Sequence, residues 1–278
     1  MNKEFAQFNL LDSKSIDDVR RYTTASANLS NLPRNEITYI DYFTTNEIKY
    51  ADQWHDKHFQ YEIHDTGFRF TELPKEVDIA VFGRSFTFGI GLPKELLWHS
   101  LLADKLKTSC INFGLPGSSI LTASDLFLIV SKHIKINKAI FLLPSHNRLQ
   151  IAKQHPTVDE VNYISIIATH NSSMCQFYDI NDEGIFRVLP EDELLKQCRN
   201  SIYTADYIAK TRNVQTYYSS WDAVTYEFLQ NMNLNGTILP NWASESGEQA
   251  ERDLARDRMH PGPEHHIMFA EKIYEYIK

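Results

Sequence analysis

The chain has 278 residues, of which 42% are apolar and 23% charged, and a formal net charge of -8. That balance excludes a disordered chain. With no lysine or arginine block to offset the acids, it also argues against general nucleic-acid binding.

No stretch reaches the ~20 apolar residues of a membrane helix, and the first eight residues lack the apolar core of a signal peptide. Cys110, Cys175 and Cys198 are odd in number with no CxxC spacing, so reduced thiols and a cytoplasmic location are expected. Residues 1–75 read as an N-terminal extension packed on a main domain of residues 76–278. This opening segment is rich in Asn, Thr, Tyr and Asp and has no glycine before Gly67. Helices are expected over 15–24 and 46–59, the first opened by Ser15-Ile16-Asp17-Asp18 with acids near the positive end of the dipole.

From there strands and helices alternate. Residues 77–82 are apolar apart from Asp78 and predict a buried strand. Leu96, Leu97, Leu101, Leu102 and Leu106 recur at nearly helical spacing and predict a helix over 94–106. A short strand over 110–113 runs into Gly114-Leu115-Pro116-Gly117. A helix over 123–136 and a strand over 139–143 follow, the latter stopped by Pro144. Residues 150–190 are the least regular and suit a lid or an interface, with a turn cluster over 179–184. Beyond them come a helix over 190–210 with Pro190 and acids in its first turn, a strand over 214–218, and helices over 222–232 and 265–277. The order predicts βαβ units and a parallel sheet, hence an α/β fold.

Ligands of open parallel sheets bind at the carboxyl ends of the strands. Three loops there carry unusual polar residues. The first presents Ser85, Gly89 and Gly91, the second Gly114 and Gly117, and the third Ser145, His146, Asn147 and Arg148. Asp257 and His260 come from a loop before the last helix. Ester hydrolysis by a serine needs a hydroxyl on a tight turn, a base, a group that orients the base, and donors for the oxyanion. Ser85, His260 and Asp257 are the candidates for the first three. The N–H groups of Ser85 and Gly117 and the Asn147 amide are the candidate oxyanion donors.

These blocks resemble the SGNH hydrolase superfamily, the GDSL-type lipases and esterases. Gly83-Arg84-Ser85-Phe86-Thr87-Phe88-Gly89 is similar to the block that usually begins Gly-Asp-Ser. Asn112-Phe113-Gly114-Leu115-Pro116-Gly117 resembles the second block and Ser145-His146-Asn147-Arg148 the third. Asp257-Arg258-Met259-His260-Pro261-Gly262 is similar to the block usually written Asp-x-x-His-Pro. The resemblance implies a three-layer α/β/α fold with a flavodoxin-like five-stranded parallel sheet. Thr66-Gly67-Phe68-Arg69 also resembles a lead-in that often precedes this domain.

Two positions depart from the family pattern. Arg84 stands where an acid precedes the nucleophile, and Arg148 where an acid follows the oxyanion Asn. Cations there could attract an anionic substrate, steady the oxyanion or lower the pKa of His260. The preferred expectation is plainer: arginine's long stem carries both heads to the rim, to pair with acids of the N-terminal extension.

Eleven histidines are present, including the pair His55 and His58 and the neighbours His265 and His266, but none completes a familiar metal-ligand set. His146 is a candidate pocket residue with Arg84 and Arg148, although a solvated loop histidine is the commoner outcome. Tyr217, Tyr218, Trp221 and Trp242 suit core or rim packing and also stacking on sugars. Phe86 and Phe88 are expected to pack the turn. The reading is a serine esterase that cleaves O-acetyl or short-acyl esters of sugars or small metabolites through an acyl-serine, with no cofactor. The alternatives are an O-acyltransferase on glycans and a non-catalytic SGNH-like binding module.

Overall fold

The computed structural model describes residues 15–19, 22, 61–64, 66–154, 161–167, 191–242, 253–255 and 260–278. The helix expected over 46–59, His55, His58, the turn cluster at 179–184, Cys175 and Asp257 lie outside them.

The run Val77 to Phe82 forms the centre of β1 (Glu76–Gly83), and from Ile79 on its residues point alternately to two cores. Ala80 and Phe82 face one side, Ile79 and Val81 the other. β2 (Cys110–Gly114) and β3 (Lys135–Leu143) flank β1, and β6 (Gln215–Ser220) and β7 (Thr237–Ile238) extend the sheet beyond β3. The order is β2-β1-β3-β6-β7 with every pairing parallel, so the fold is α/β with a flavodoxin-like sheet.

On one face α3 (Ile120–His133) and α4 (Glu191–Thr211) bury Phe127, Ile129, Ile202 and Ala205 against Phe82, Phe113, Phe141 and Tyr218. The rings of Phe113, Phe82, Phe141 and Tyr218 stack in sequence across the sheet at 5.1 to 5.5 Å. Val19, Tyr22, Phe68 and Phe70 complete this core. On the other face α2 (Trp98–Leu106) and α6 (Pro263–Ile277) bury Trp98, Leu102, Phe269 and Ile273 against Val81, Ile140 and Tyr217. The layers are thus helix, sheet, helix. Among the described residues no helix is long and apolar enough to cross a membrane.

Three expectations are corrected. The helix expected over 94–106 is broken: Lys94–Leu96 is a 3₁₀ turn and Leu97 is extended, because Leu97 packs with Leu92 and Ala255 in a separate cluster. The helix expected over 123–136 spans Ile120–His133 instead, because Ser119 caps its start and β3 begins at Lys135, in register with Glu76. The stretch taken as irregular from 150 holds an antiparallel pair, β4 (Arg148–Gln154) and β5 (Val161–Ile167), in a sheet of its own.

Candidate functional site

Ser85 opens a single helical turn, α1 (Ser85–Phe88), directly after β1. Arg84 stays extended before it, and Gly89 closes it at φ 81°, a left-handed conformation that a glycine adopts without strain. A Cβ on Gly89 would also lie 2.2 Å from Leu97 Cδ2. Gly114 permits a close approach from the neighbouring strand, since a Cβ there would lie 2.5 Å from the Phe88 nitrogen.

The turn is held from two sides. Asn112 Nδ2 donates to Thr87 O at 2.8 Å, and Asn112 Oδ1 accepts from Gly114 N at 2.7 Å. Arg69 Nη1 donates to Phe88 O at 3.0 Å and to Gly89 O at 2.7 Å, while Nη2 donates to Leu92 O at 2.6 Å. Its guanidinium lies 4.4 Å from the centre of the Tyr61 ring, and Tyr61 Oη accepts from Gly91 N at 2.6 Å. The lead-in Thr66 to Arg69 is therefore a brace for the turn, a role that sequence reasoning did not assign to Arg69.

Ser85 is 2% exposed, and its hydroxyl has no hydrogen-bond partner among the described residues. An unpaired buried hydroxyl costs stability, on the order of 1–3 kcal/mol. Unexplained groups of this kind mark strain, catalysis or a missing ligand.

The second loop lies beside it. Leu115 N and the Ser118 hydroxyl both donate to Gly83 O, at 2.9 and 3.1 Å. Gly117 has φ 77°, and a Cβ built on it would meet nothing within 4 Å, so open space lies in front of its Cα. Among the described residues neither the Ser85 N–H nor the Gly117 N–H donates to a backbone carbonyl. The third loop is tied to the helix α5 (Ala223–Gln230) by Thr225 Oγ1, which accepts from His146 N at 3.0 Å. Asn147 in that loop is half-buried.

His260 sits at the foot of a small antiparallel clasp. Ala255 N donates to His260 O at 2.7 Å and Gly262 N to Asp253 O at 2.9 Å, so 253–255 and 260–262 run side by side. The Asp253 carboxylate accepts from the backbone N–H and the Nδ1 of His265, both at 2.9 Å, which fixes the clasp to the first turn of α6. The His260 ring lies edge-on to Phe86, 5.9 Å between centres. Ser85 and His260 are thus brought to the same end of the fold, but the hydroxyl is not bonded to the imidazole. Catalytic hydrogen bonds of this type often tighten only with substrate present. Asp257, expected to orient His260, falls in the span between the two arms of the clasp, outside the described residues.

The arginines differ from the plainer expectation. Among the described residues neither reaches a carboxylate. Arg148 is 7% exposed, and its Nη1 donates to Gly117 O at 3.1 Å. Arg84 lies with its guanidinium 5.4 Å from the Trp221 ring centre. The Nε atoms of both are buried and unpaired among the described residues. Burial pushes the Arg148 guanidinium down to about 10. Burial, and then the Arg148 charge, push Arg84 down to about 9. The sequence carries no local signal for this, since both arginines follow ordinary strand-end loops.

His146 is also corrected. It is 6% exposed, not solvated, and its Nε2 meets Glu191 Oε1 at 2.9 Å. Phe88, Tyr217 and Tyr218 are core residues, whereas Phe86 packs at the site against Trp221, Trp242 and His260. Deeper in, His99 Nε2 meets Asn112 Nδ2 at 3.0 Å and His266 Nδ1 accepts from Trp98 N at 3.0 Å. Burial drives His99 down to about 3 and His266 well below the usual imidazole range, so both are neutral packing histidines. Among the described residues no three His, Cys, Asp or Glu side chains gather as a metal-ligand set.

No family model matches the sequence, and no curated protein matches it. Solved structures do. The chain is similar to one described as a lipolytic protein of the G-D-S-L family from Desulfitobacterium hafniense, at 14% identity and TM-score 0.41, over 73% of this chain and 99% of that one. A psychrotrophic esterase from a Pseudoalteromonas species matches at 14% identity and TM-score 0.44, over 73% and 97%. An acetyl xylan esterase from Butyrivibrio proteoclasticus matches at 13% identity and TM-score 0.44, over 80% and 67%.

Proposed function

We propose that the chain is a serine esterase of the SGNH type, with residues 1–75 as an extension that braces the domain of residues 76–278. The observation that carries the reading is Ser85. Its hydroxyl is buried without a partner among the described residues, on a braced turn at the carboxyl end of β1, an inner strand of the parallel sheet, with Gly117, Asn147 and His260 at the same end.

In this mechanism Ser85 Oγ attacks the ester carbonyl while His260 takes its proton. The N–H groups of Ser85 and Gly117 and the Asn147 amide donate to the oxyanion. His260 returns the proton to the leaving alcohol, and Asp257 holds the imidazole in the right tautomer. Water, activated by His260, then attacks the acyl-serine and frees the acid. The substrate class is a short-acyl ester, such as an O-acetyl group on a sugar or small metabolite. No step requires a cofactor.

A fluorophosphonate probe tests the reading directly. Wild-type protein is expected to be labelled and to turn over p-nitrophenyl acetate, and Ser85→Ala to do neither. Because the hydroxyl has no partner, Ser85→Ala should match the wild type in stability or exceed it by about 1 kcal/mol. Wild-type protein that takes no label would refute the mechanism. Labelling without turnover would redirect it to acyl transfer onto an acceptor other than water.

A further inference from the structure

We infer that the Arg84 and Arg148 pair is a receptor for an anionic oxygen group on the ligand, so that the ester cleaved carries a carboxylate or phosphate close to its acyl carbonyl. This inference rests on the serine-esterase reading for the word ester. The anion site itself stands on the arginines.

The arrangement has three parts. First, the two cations flank the candidate chemistry: Arg84 directly precedes Ser85, and Arg148 directly follows Asn147. Arg148 also holds the carbonyl of Gly117 at 3.1 Å. An anion bound between them would lie within a few bonds of a carbonyl seated at Ser85. Second, the pair has no counter-charge among the described residues. No ion pair forms at either arginine there, and of the acids around the third loop Glu191 pairs with His146 at 2.9 Å and Asp222 accepts from Thr225 N and Oγ1. Third, donors are left over. The Nε of each guanidinium is buried and unpaired, while Arg148 is 93% buried by its 7% exposure.

Two like charges near enough to act on one another, each with its Nε buried, disfavour the unliganded state, and an anion relieves both the repulsion and the unpaired donors. A guanidinium fork matches the paired oxygens of a carboxylate or phosphate. Trp221, against which Arg84 lies, supports that side chain through its ring face without neutralising it. A neutral acetyl ester would leave the forks unused. An acidic sugar ester or another small anionic ester fills them.

The test uses inorganic phosphate and succinate as separate probes, with glycerol as the neutral control. Titrated calorimetrically into the full-length Ser85→Ala protein, phosphate or succinate should bind in a saturable way. In wild-type protein the same ion should slow fluorophosphonate labelling of Ser85, and glycerol should not. Arg84→Gln and Arg148→Gln should each weaken the ion's binding by roughly 10- to 100-fold. Arg148→Lys, which keeps the charge without the fork, should weaken it less and serves if Arg148→Gln does not fold.

Tight phosphate with weak succinate would identify a phosphorylated ligand, and the reverse a carboxylated one. Absence of binding by both ions to Ser85→Ala would overturn the inference, and so would binding that survives both Gln replacements. Neither result touches the esterase reading, which fails only if Ser85 takes no label. Calorimetry on Ser85→Ala still decides the anion site in that case.

Discussion

Arg69 supports the Ser85 turn more heavily than any other side chain described, and replacing it with alanine measures how much. The guanidinium satisfies three buried carbonyls, those of Phe88, Gly89 and Leu92, at 2.6 to 3.0 Å. Leaving a buried carbonyl unpaired costs about 1–3 kcal/mol. Two of the three keep only a long substitute: Phe88 O has Asn112 Nδ2 at 3.5 Å, and Gly89 O has Leu92 N at 3.4 Å.

Leu92 O has no such reserve among the described residues, and the cavity also removes the packing against Tyr61. The summed expectation for Arg69→Ala is therefore a loss of about 3–5 kcal/mol. That is a large share of the ~5–15 kcal/mol stability of a typical domain. Urea titration followed by far-UV circular dichroism reads the stability, and the rate of fluorophosphonate labelling at low urea reads the turn. Both should fall. A stability change under about 1 kcal/mol with an unchanged labelling rate would refute the brace.

Two further outcomes follow from the same geometry. Gly89→Ala and Gly117→Ala both force a Cβ into a left-handed backbone, at about 1–2 kcal/mol each. Only the first also drives it into Leu97, so urea midpoints should rank Gly89→Ala clearly below Gly117→Ala; equal midpoints would contradict the packing. Asp125 is pushed up to about 6, chiefly by burial, and the hydrogen bonds from Gln150 and Tyr22 only partly offset that rise. Its folded value lies above the unfolded value of about 3.9, so the stability it contributes is full below pH ~4 and lost as pH rises through ~6. Asp125→Asn should flatten the fall in urea midpoint between pH 4 and 7, and an unchanged slope would rule this carboxyl out as the source.

Much of the frame was legible because burial on both faces of a parallel sheet leaves a plain mark. The run at 77–82 has one polar residue, and it forms β1, an inner strand paired on both sides. Leucine spacing hid the break at Leu97, since a helix and a 3₁₀ turn followed by an extended residue present the same apolar residues. What decides between them is the distant Ala255. The β4 and β5 pair left a readable trace that was missed: Leu149 and Ile151 alternate with Gln150, and they stand opposite Ile166 and Ile164. At the candidate site, the blocks singled out Ser85, Gly117, Asn147 and His260, and the fold gathers these four at the carboxyl end of the sheet. The burial of Arg84, Arg148 and His146 was not legible, because burial of a charged loop residue depends on neighbours such as Trp221 and Thr225 that arrive from far along the chain.

The clasp that holds His260 has a consequence for the order in which the protein assembles. Ser85 opens α1 directly after β1 and needs only the neighbouring strands and the Tyr61 to Arg69 segment, all complete by Leu143 at the end of β3. His260 lies 175 residues further on and is positioned through α6, the last helix. Contacts of that separation close late, because the intervening chain must be ordered first. A nascent chain would carry the Ser85 turn for a long stretch of synthesis before α6 docks and brings His260 to the same end of the sheet. The meeting of these two candidate residues is thereby coupled to the docking of one helix.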